Sequence, residues 1–575
     1  MDFSLIHPLW AIGLPVAGSI PLGYWMARVL DPKPEQVGKG LDALPIGLLK
    51  LIGHREPAGM GWRAYATALL SFNAALFVIS FAILFLQGHF HLLNPDQKGP
   101  LTALGYKDTT GAMHAGADTG VIFNTVCSFV TNTNLQHYAG EQHLSYFSQM
   151  GAIVWLQFVT PACGLAVMLA VIRGLRGERV LGDFYLDTIR GLVLVLAPLS
   201  ILLAVALVAT GVPMTLAGAH QASTLEPGTQ SIAVGPVAAE VAIKQLGTNG
   251  GGYFGPNSAH PLENPSPWSN LLEVISIVII PMSSIVMFGH LIKDRAHAAV
   301  IYGVMLLMLL VGVALAIGAE RQPSAAVAGL PVRADGNMEG KEVRLGPVPS
   351  ATWSAITTAT SNGSVNAMHD SFQPLGGLVP LSLMMLNVDF SGIGAGFLNM
   401  LMYVIVAVFL AGLMVGRTPE YLGKKIEARE VKLAMIVVLI HPILITCGTA
   451  LFAATDWGKK TTANPGPHGF SEVLYEFTSA AANNGSGFEG LSDNNPAWNI
   501  ATGVVLLLGR FPALVLPLAI AGYLAGKKRT PTTSGTLLTN DLTFAAMLLG
   551  TVLLVGALSF MPAVVLGPIA DHLSK

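Results

Sequence analysis

Long apolar runs alternate with shorter polar joints over the whole of this chain. A helix needs about 20 apolar residues to cross a bilayer. Ten runs reach that length, near residues 4–29, 66–86, 150–172, 190–210, 271–291, 298–318, 375–416, 432–453, 499–525 and 541–566, and each predicts a spanning helix. The seventh is overlong and is interrupted by a glycine-rich stretch near 387–396. Four shorter segments, near 120–130, 238–246, 350–360 and 470–482, mix apolar and small residues over two or three helical turns. They are too short to span. A small polar triplet follows each of them: Asn132-Thr133-Asn134, Thr248-Asn249-Gly250, Ser361-Asn362-Gly363 and Asn483-Asn484-Gly485. The triplets start at 132, 248, 361 and 483, so they recur at intervals of 116, 113 and 122 residues.

Composition turns this pattern into a membrane protein. Of 575 residues, 52% are hydrophobic and 11% charged, where a soluble domain carries about 25% charged residues. Mean hydropathy is +0.59. The net charge of -2 speaks against a nucleic-acid partner. Cys127, Cys163 and Cys447 lie in apolar surroundings without a CxxC pair and read as small core-filling residues. The first apolar run lacks a basic leader and has its first basic residue at Arg28, so it reads as a retained span with its N-terminus outside.

Loop charge orients the spans. Basic residues gather in alternate joints: Lys33 to Arg63, then Arg173, Arg176 and Arg179, then Lys293 and Arg295, then Arg417 to Lys432, then Lys527, Lys528 and Arg529. Short basic loops face the cytoplasm, which places both termini and all four triplets outside. The fold expected is an all-α polytopic membrane protein. Four channel-like helix–pore loop–helix repeats (64–185, 186–296, 297–430 and 431–530) surround a pseudo-fourfold pore. A leading helix and cytoplasmic loop (1–63) precede them and a trailing helix (531–575) follows. The loop at 319–350 reads as an ordinary excursion from the membrane.

The triplets suit a dehydrated cation. A short re-entrant helix that stops mid-membrane points its negative dipole end at the space beyond. Gly250, Gly363 and Gly485 permit backbone angles that let successive carbonyls face one way, and Asn134 holds the matching place in the first repeat. Four such turns in a ring make a monovalent-cation filter. From each triplet to the basic end of the following span is about 41, 43, 54 and 43 residues, so the third repeat has about eleven extra. These fall on the stretch holding Asp389, Gly392, Gly394 and Gly396, a broken helix beneath the filter and a natural gate. Arg510, within an apolar run, is expected to face an internal water path or a partner. Arg417 reads as a plain helix-end cation. His89, His91, His114 and His260 match no metal-ligand spacing.

At the triplets the chain closely resembles the potassium-binding subunits of Kdp-type potassium-transporting ATPases, within the superfamily of four-repeat potassium transporters. The matching stretches are SFVTNTNLQHYAGE, GTNGGGYFGPNSAHPLENP, SNGSVNAMHDSFQPLGG and TSAAANNGSGFEG. The resemblance implies that potassium is captured from outside at the four triplets, with Gln136 just behind the first strand affecting affinity. It makes Arg417 and Arg510 candidates for the passage toward a partner. It also implies a bacterial plasma membrane location, a separate P-type ATPase subunit that carries ATP and Mg2+, and two small membrane subunits. The chain itself has neither a GxxxxGK[ST] phosphate loop nor a DKTGT motif, which fits a non-catalytic, ion-binding role. A stand-alone four-repeat potassium channel or secondary transporter is the alternative. A membrane-embedded redox or lipid-modifying enzyme is disfavoured, because the spans carry no paired His, paired Cys or acidic catalytic cluster.

Overall fold

The computed structural model describes residues 3–574 except 52, 54–56, 108–112, 115–118, 325–335, 415, 417 and 531–536. Its main helices are α1 (Phe3–Leu30), α2 (Trp62–Leu86), α3 (Gly120–Val130), α4 (Tyr146–Arg176), α5 (Phe184–Ala209), α6 (Val237–Leu246), α7 (Pro267–Ile292) and α8 (Arg295–Glu320). There follow α9 (Pro347–Ala359), α10 (Pro374–Leu386), α11 (Ala395–Met414), α12 (Ala428–Ala454), α13 (Gly466–Ala482), α14 (Pro496–Ala525) and α15 (Leu542–Leu573). Ten of these are long and apolar enough to cross a membrane. The short helices α3, α6, α9 and α13 are not, and each ends where a triplet begins. Three two-stranded hairpins lie in the loops.

Burial sorts the spans into two rings. In α4, α7, α11 and α14, 61–83% of the most apolar stretch is buried, against 22–44% in the other six. The span that follows each triplet is therefore the inner one, and the span that precedes it faces lipid. The leading α1 packs along α7 and the trailing α15 lies against α8 and α11. Cys127 and Cys163 fill the interior as expected, but Cys447 is exposed on α12; that side of the helix meets lipid, where a small apolar side chain is equally at home.

Local chemistry fixes where these helices start. Ser266, one residue before Pro267, accepts from Ser269 N–H and forms a capping box. Asn495, before Pro496, accepts from the N–H groups of Ala497 and Trp498. Proline at the first helical position removes a donor that would have no partner there. The overlong seventh run resolves into the half-length α10, a loop over 387–394 and the spanning α11. Asn387 closes α10 in the left-handed conformation, at φ +48°.

Some loop charges are structural. Arg173 donates two bonds to the Asp187 carboxylate (2.6 and 3.1 Å) and one to Asp31 (3.0 Å). Arg190 holds Asp42 in the same two-pronged way (2.7 and 3.0 Å). These pairs clamp the basic ends of α4 and α5 to the segments after α1. On the opposite face, Lys341 Nζ and Asn337 Nδ2 both reach Glu320 Oε2 (2.8 and 2.9 Å), which ties the described part of the 319–350 loop to the end of α8.

Candidate ion filter and the loop beneath it

The four triplets adopt one hydrogen-bonding pattern. The middle residue of each donates its N–H to the carbonyl five residues earlier: Thr133 to Ser128 (2.9 Å), Asn249 to Lys244 (3.0 Å), Asn362 to Thr357 (2.8 Å) and Asn484 to Ser479 (2.9 Å). This bond closes the last turn of α3, α6, α9 and α13 in the manner of a helix-terminal turn. Handedness repeats as well. Asn132, Thr248, Ser361 and Asn483 have φ of +65°, +51°, +47° and +54°, and Asn134, Gly250, Gly363 and Gly485 have +60°, +82°, +91° and +103°. The first and third residues are thus left-handed in all four turns. Sequence reasoning anticipated only the third; at the first position Asn132 and Asn483 tolerate that conformation but Thr248 and Ser361 carry no signal for it, so no common pattern marked the place.

The turns meet edge to edge. A methyl added to Gly250 would lie 2.0 Å from the Asn362 carbonyl oxygen, one on Gly363 1.9 Å from that of Asn484, and one on Gly485 2.2 Å from that of Thr133. Each glycine admits the next repeat's middle carbonyl, and the ring closes through Asn134, whose Cβ faces Gly251. Among the described residues, no donor reaches the carbonyls of Thr133, Asn249, Asn362 or Asn484. Side chains staple neighbouring repeats together. Asn362 Nδ2 donates to Lys244 O (2.9 Å), Asn484 Nδ2 to Thr357 O (3.0 Å), and Asn132 Nδ2 to Thr248 O (3.1 Å). Gln136 exchanges two bonds with the Gly252 backbone (2.9 and 3.2 Å), pinning the strand after the first turn to that after the second.

Behind the second turn lies a buried ion pair that no local pattern announces. Lys244 stands where the other repeats have Ser128, Thr357 and Ser479, and it is fully buried. Its ammonium pairs with the buried Glu263 carboxylate and donates to Asn257 Oδ1 (2.7 Å). Asn257 Nδ2 in turn holds Gly250 O at 2.6 Å. In the third and fourth repeats a hydroxyl at this place, Thr357 or Ser479, accepts from the N–H of Gly363 (3.0 Å) or Gly485 (2.9 Å) instead.

The loop at 387–394 lies against the ring. Ser361 Oγ donates to Asn387 Oδ1 (3.0 Å) and meets Ser391 Oγ (2.8 Å), while Ile393 N–H donates to Thr248 Oγ1 (3.0 Å). Gly394, at φ +83°, packs on the Gly164 carbonyl, and Gly396 on that of Ser391. Between ring and loop is a small cavity of about 10 Å³, lined by Asn132, Ser361, Asn483, Asn387, Gly392 and Arg510 among others, about enough for one water. Arg510 is buried and, among the described residues, pairs with no carboxylate. Asp389 is also buried, with both oxygens unpartnered, but it does not line that cavity. Arg417 lies outside the described residues. Of the expected gate residues, the structure therefore brings Gly392 and Arg510 together beneath the turns. His260 stacks on Phe254 at 3.8 Å, a packing role.

Four short helices that converge on four like turns, wrapped by eight spans, define a polytopic membrane protein of the four-repeat, pore-loop class. The chain belongs to the family described as potassium-transporting ATPase A subunit, whose model matches residues 10–573. It is 46% identical over 558 residues to the potassium-transporting ATPase potassium-binding subunit of Geobacillus kaustophilus, covering 97% of this chain and 96% of that protein. It is 47% identical over 556 residues to the protein of the same name from Pseudomonas aeruginosa, with 96% of each covered. Among solved structures, the potassium transporter TrkH from Vibrio parahaemolyticus shares the fold at a TM-score of 0.52 and 14% identity, covering 90% of this chain and 98% of that one.

Proposed function

We propose that this chain captures potassium at the ring formed by residues 132–134, 248–250, 361–363 and 483–485, and passes it on for ATP-driven uptake. Hydrolysis of ATP, with Mg2+, takes place in a separate P-type ATPase subunit, and two small membrane subunits complete the assembly. The protein sits in a bacterial plasma membrane with both termini and the ring facing outside. The observation that carries this reading is the fourfold recurrence of one turn, with its middle carbonyl free of protein donors. A cation that sheds its water needs oxygen ligands in its place, and backbone carbonyls supply them without a formal charge. The negative ends of α3, α6, α9 and α13 add to the attraction.

The loop and Arg510 favour a pump subunit over a free channel. A fixed positive charge beneath the ring opposes a cation that would continue straight down the axis, so the ion leaves by another route, toward a partner. The test is what the chain does alone and in complex. Purified by itself it should hydrolyse no ATP, and together with the ATPase subunit it should make hydrolysis depend on potassium. Potassium accumulation against a gradient by the isolated chain in vesicles would replace this reading with a stand-alone transporter.

A further inference from the structure

Two clusters on the turn side of the protein bring a histidine together with carboxylates, and their distances separate them. His468 makes two short contacts, Nε2 to Asp370 Oδ1 at 2.9 Å and Nδ1 to Asp571 Oδ2 at 2.8 Å. These are ordinary charge-assisted hydrogen bonds, which run to about 2.7–2.9 Å, and a proton on each nitrogen accounts for them. His137 is different. Its Nε2 lies 3.4 Å from Glu476 Oε1 and 3.8 Å from Asp493 Oδ2, too far for good bonds to either. The three donor atoms nevertheless fall within 4.8 Å of one another.

Those separations suit a metal ion better than a proton. Zinc bonded at about 2.0–2.2 Å to nitrogen and oxygen in a tetrahedron puts its ligand atoms roughly 3.4 Å apart. The imidazole is also oriented for the task. His137 Nδ1 donates to the Asn499 amide oxygen at 2.7 Å, which leaves Nε2 as the ligand atom, as an outer-shell partner does in histidine metal sites. The side chains of His137 and Glu476 are buried and that of Asp493 is 28% exposed, so the site is walled on the protein side and reached by solvent at Asp493. Magnesium prefers six oxygen ligands and does not fit this donor set.

We propose that His137, Glu476 and Asp493 form a zinc-type site at the mouth of the ring, and that loading it weakens potassium capture. His137 stands three residues beyond Asn134, beside Gln136, and Glu476 is on α13, which ends at the fourth turn. A bound divalent ion sets positive charge between two carboxyl groups beside the first and fourth turns. Loading therefore removes a charge that attracts cations to the mouth. The metal site stands on its own geometry, whereas its effect on potassium rests on the filter reading.

The test uses the purified complex in detergent, with Co2+ as spectroscopic probe and Zn2+ as competitor. We expect one equivalent of Co2+ with the strong visible absorption of a tetrahedral ion, displaced by Zn2+ and lost in Asp493→Asn, a variant that removes the same unit of charge and should itself raise potassium half-saturation by a comparable factor in metal-free buffer. Zinc should raise the potassium concentration for half-maximal ATPase by roughly three- to tenfold in wild type, the scale of one unit charge near the ion, and should add no further shift in Asp493→Asn. No tetrahedral signal, or a signal retained in Asp493→Asn, would overturn the site. Tetrahedral binding that leaves potassium half-saturation unmoved would overturn the effect on potassium capture and leave the metal site standing.

Discussion

Gly363 is where the proposed filter is most exposed to test. Its φ is +91° and an added methyl would stand 1.9 Å from the Asn484 carbonyl oxygen and 3.0 Å from Gly485 Cα. Holding an L-residue in that conformation costs about 1–2 kcal/mol. Clearing the overlap means moving the Asn484 carbonyl by more than an ångström, since relaxed carbon–oxygen contacts lie at about 3.3 Å or beyond. That carbonyl is held by its own N–H bond to Ser479 and by the side-chain bond to Thr357, and stretching one of these costs about 1 kcal/mol more. Together, about 2–3 kcal/mol is charged against the ion-holding geometry. At 1.4 kcal/mol per tenfold, Gly363→Ala should raise the potassium concentration for half-maximal ATPase by roughly 30- to 140-fold in the reconstituted complex. Maximal rate should change less, because the ion acts by biasing the conformation it binds. Gly303→Ala on α8, where nothing lies within 4 Å of the added methyl, is the control and should leave half-saturation unchanged. Half-saturation within twofold of wild type in Gly363→Ala would refute the four-corner filter.

Three further outcomes are expected. Gly251→Ala sets a methyl 2.6 Å from Asn134 Cβ and should weaken potassium dependence; adding Asn134→Gly should restore it with a coupling of about 1 kcal/mol or more, and simple additivity would show that the two do not share the contact. Arg510→Met should insert normally yet slow potassium-driven turnover, so wild-type uptake in vesicles would return the residue to a packing role. His468, bridging Asp370 and Asp571, has its pKa raised from 6.5 to about 9, chiefly by the bond to Asp370. A raised pKa means the clamp's contribution is complete below about pH 6.5 and is lost as pH climbs through about 9. Melting temperature should therefore fall between those values in wild type and show a flatter profile in His468→Asn; equal slopes would refute the clamp.

The ten spans and the four short helices were legible because both rest on hydropathy and length, which lipid enforces directly. Gly120–Val130 is predicted to the residue, since glycine and a polar triplet bracket an apolar run that cannot reach across the bilayer. What stayed hidden was whatever depends on a partner distant in sequence. Gln136 could be named as lying behind the first strand only through family resemblance, while its bonds to Gly252 come from the second repeat. Lys244 lies in a short apolar helix, and nothing local says that Glu263 neutralises it and that Asn257 accepts from it. Arg173 read as an orienting loop cation and is instead locked on Asp187 and Asp31. Asp389 was grouped with Gly392 by proximity along the chain, but only the glycine reaches the cavity, because Phe390 at φ +49° reverses the loop between them.

The four repeats depart from one another in different layers, and this explains why their likeness shows in spacing more than in identity. The turns are constrained in common, since each must present a left-handed third residue to the carbonyl of the next. Support behind the turns is free to differ: a hydroxyl in the third and fourth repeats, a buried lysine pair in the second. The first repeat alone puts a Cβ where the others have glycine, and Gly251 in its neighbour makes the space, so a loss of symmetry at one corner is absorbed at the next. Beneath the ring symmetry is abandoned. Among the described residues, only the third repeat breaks its inner span and only the fourth places an arginine beside the cavity. The break is joined to the ring through Ser361 and Thr248, residues at the left-handed first position of their turns. Any movement of the 387–394 loop is therefore felt by two of the four corners, at the backbone angles that aim their carbonyls. On the proposed function such a link would let the loop below and the turns that face the ion respond to one another, because the same two hydrogen bonds join them.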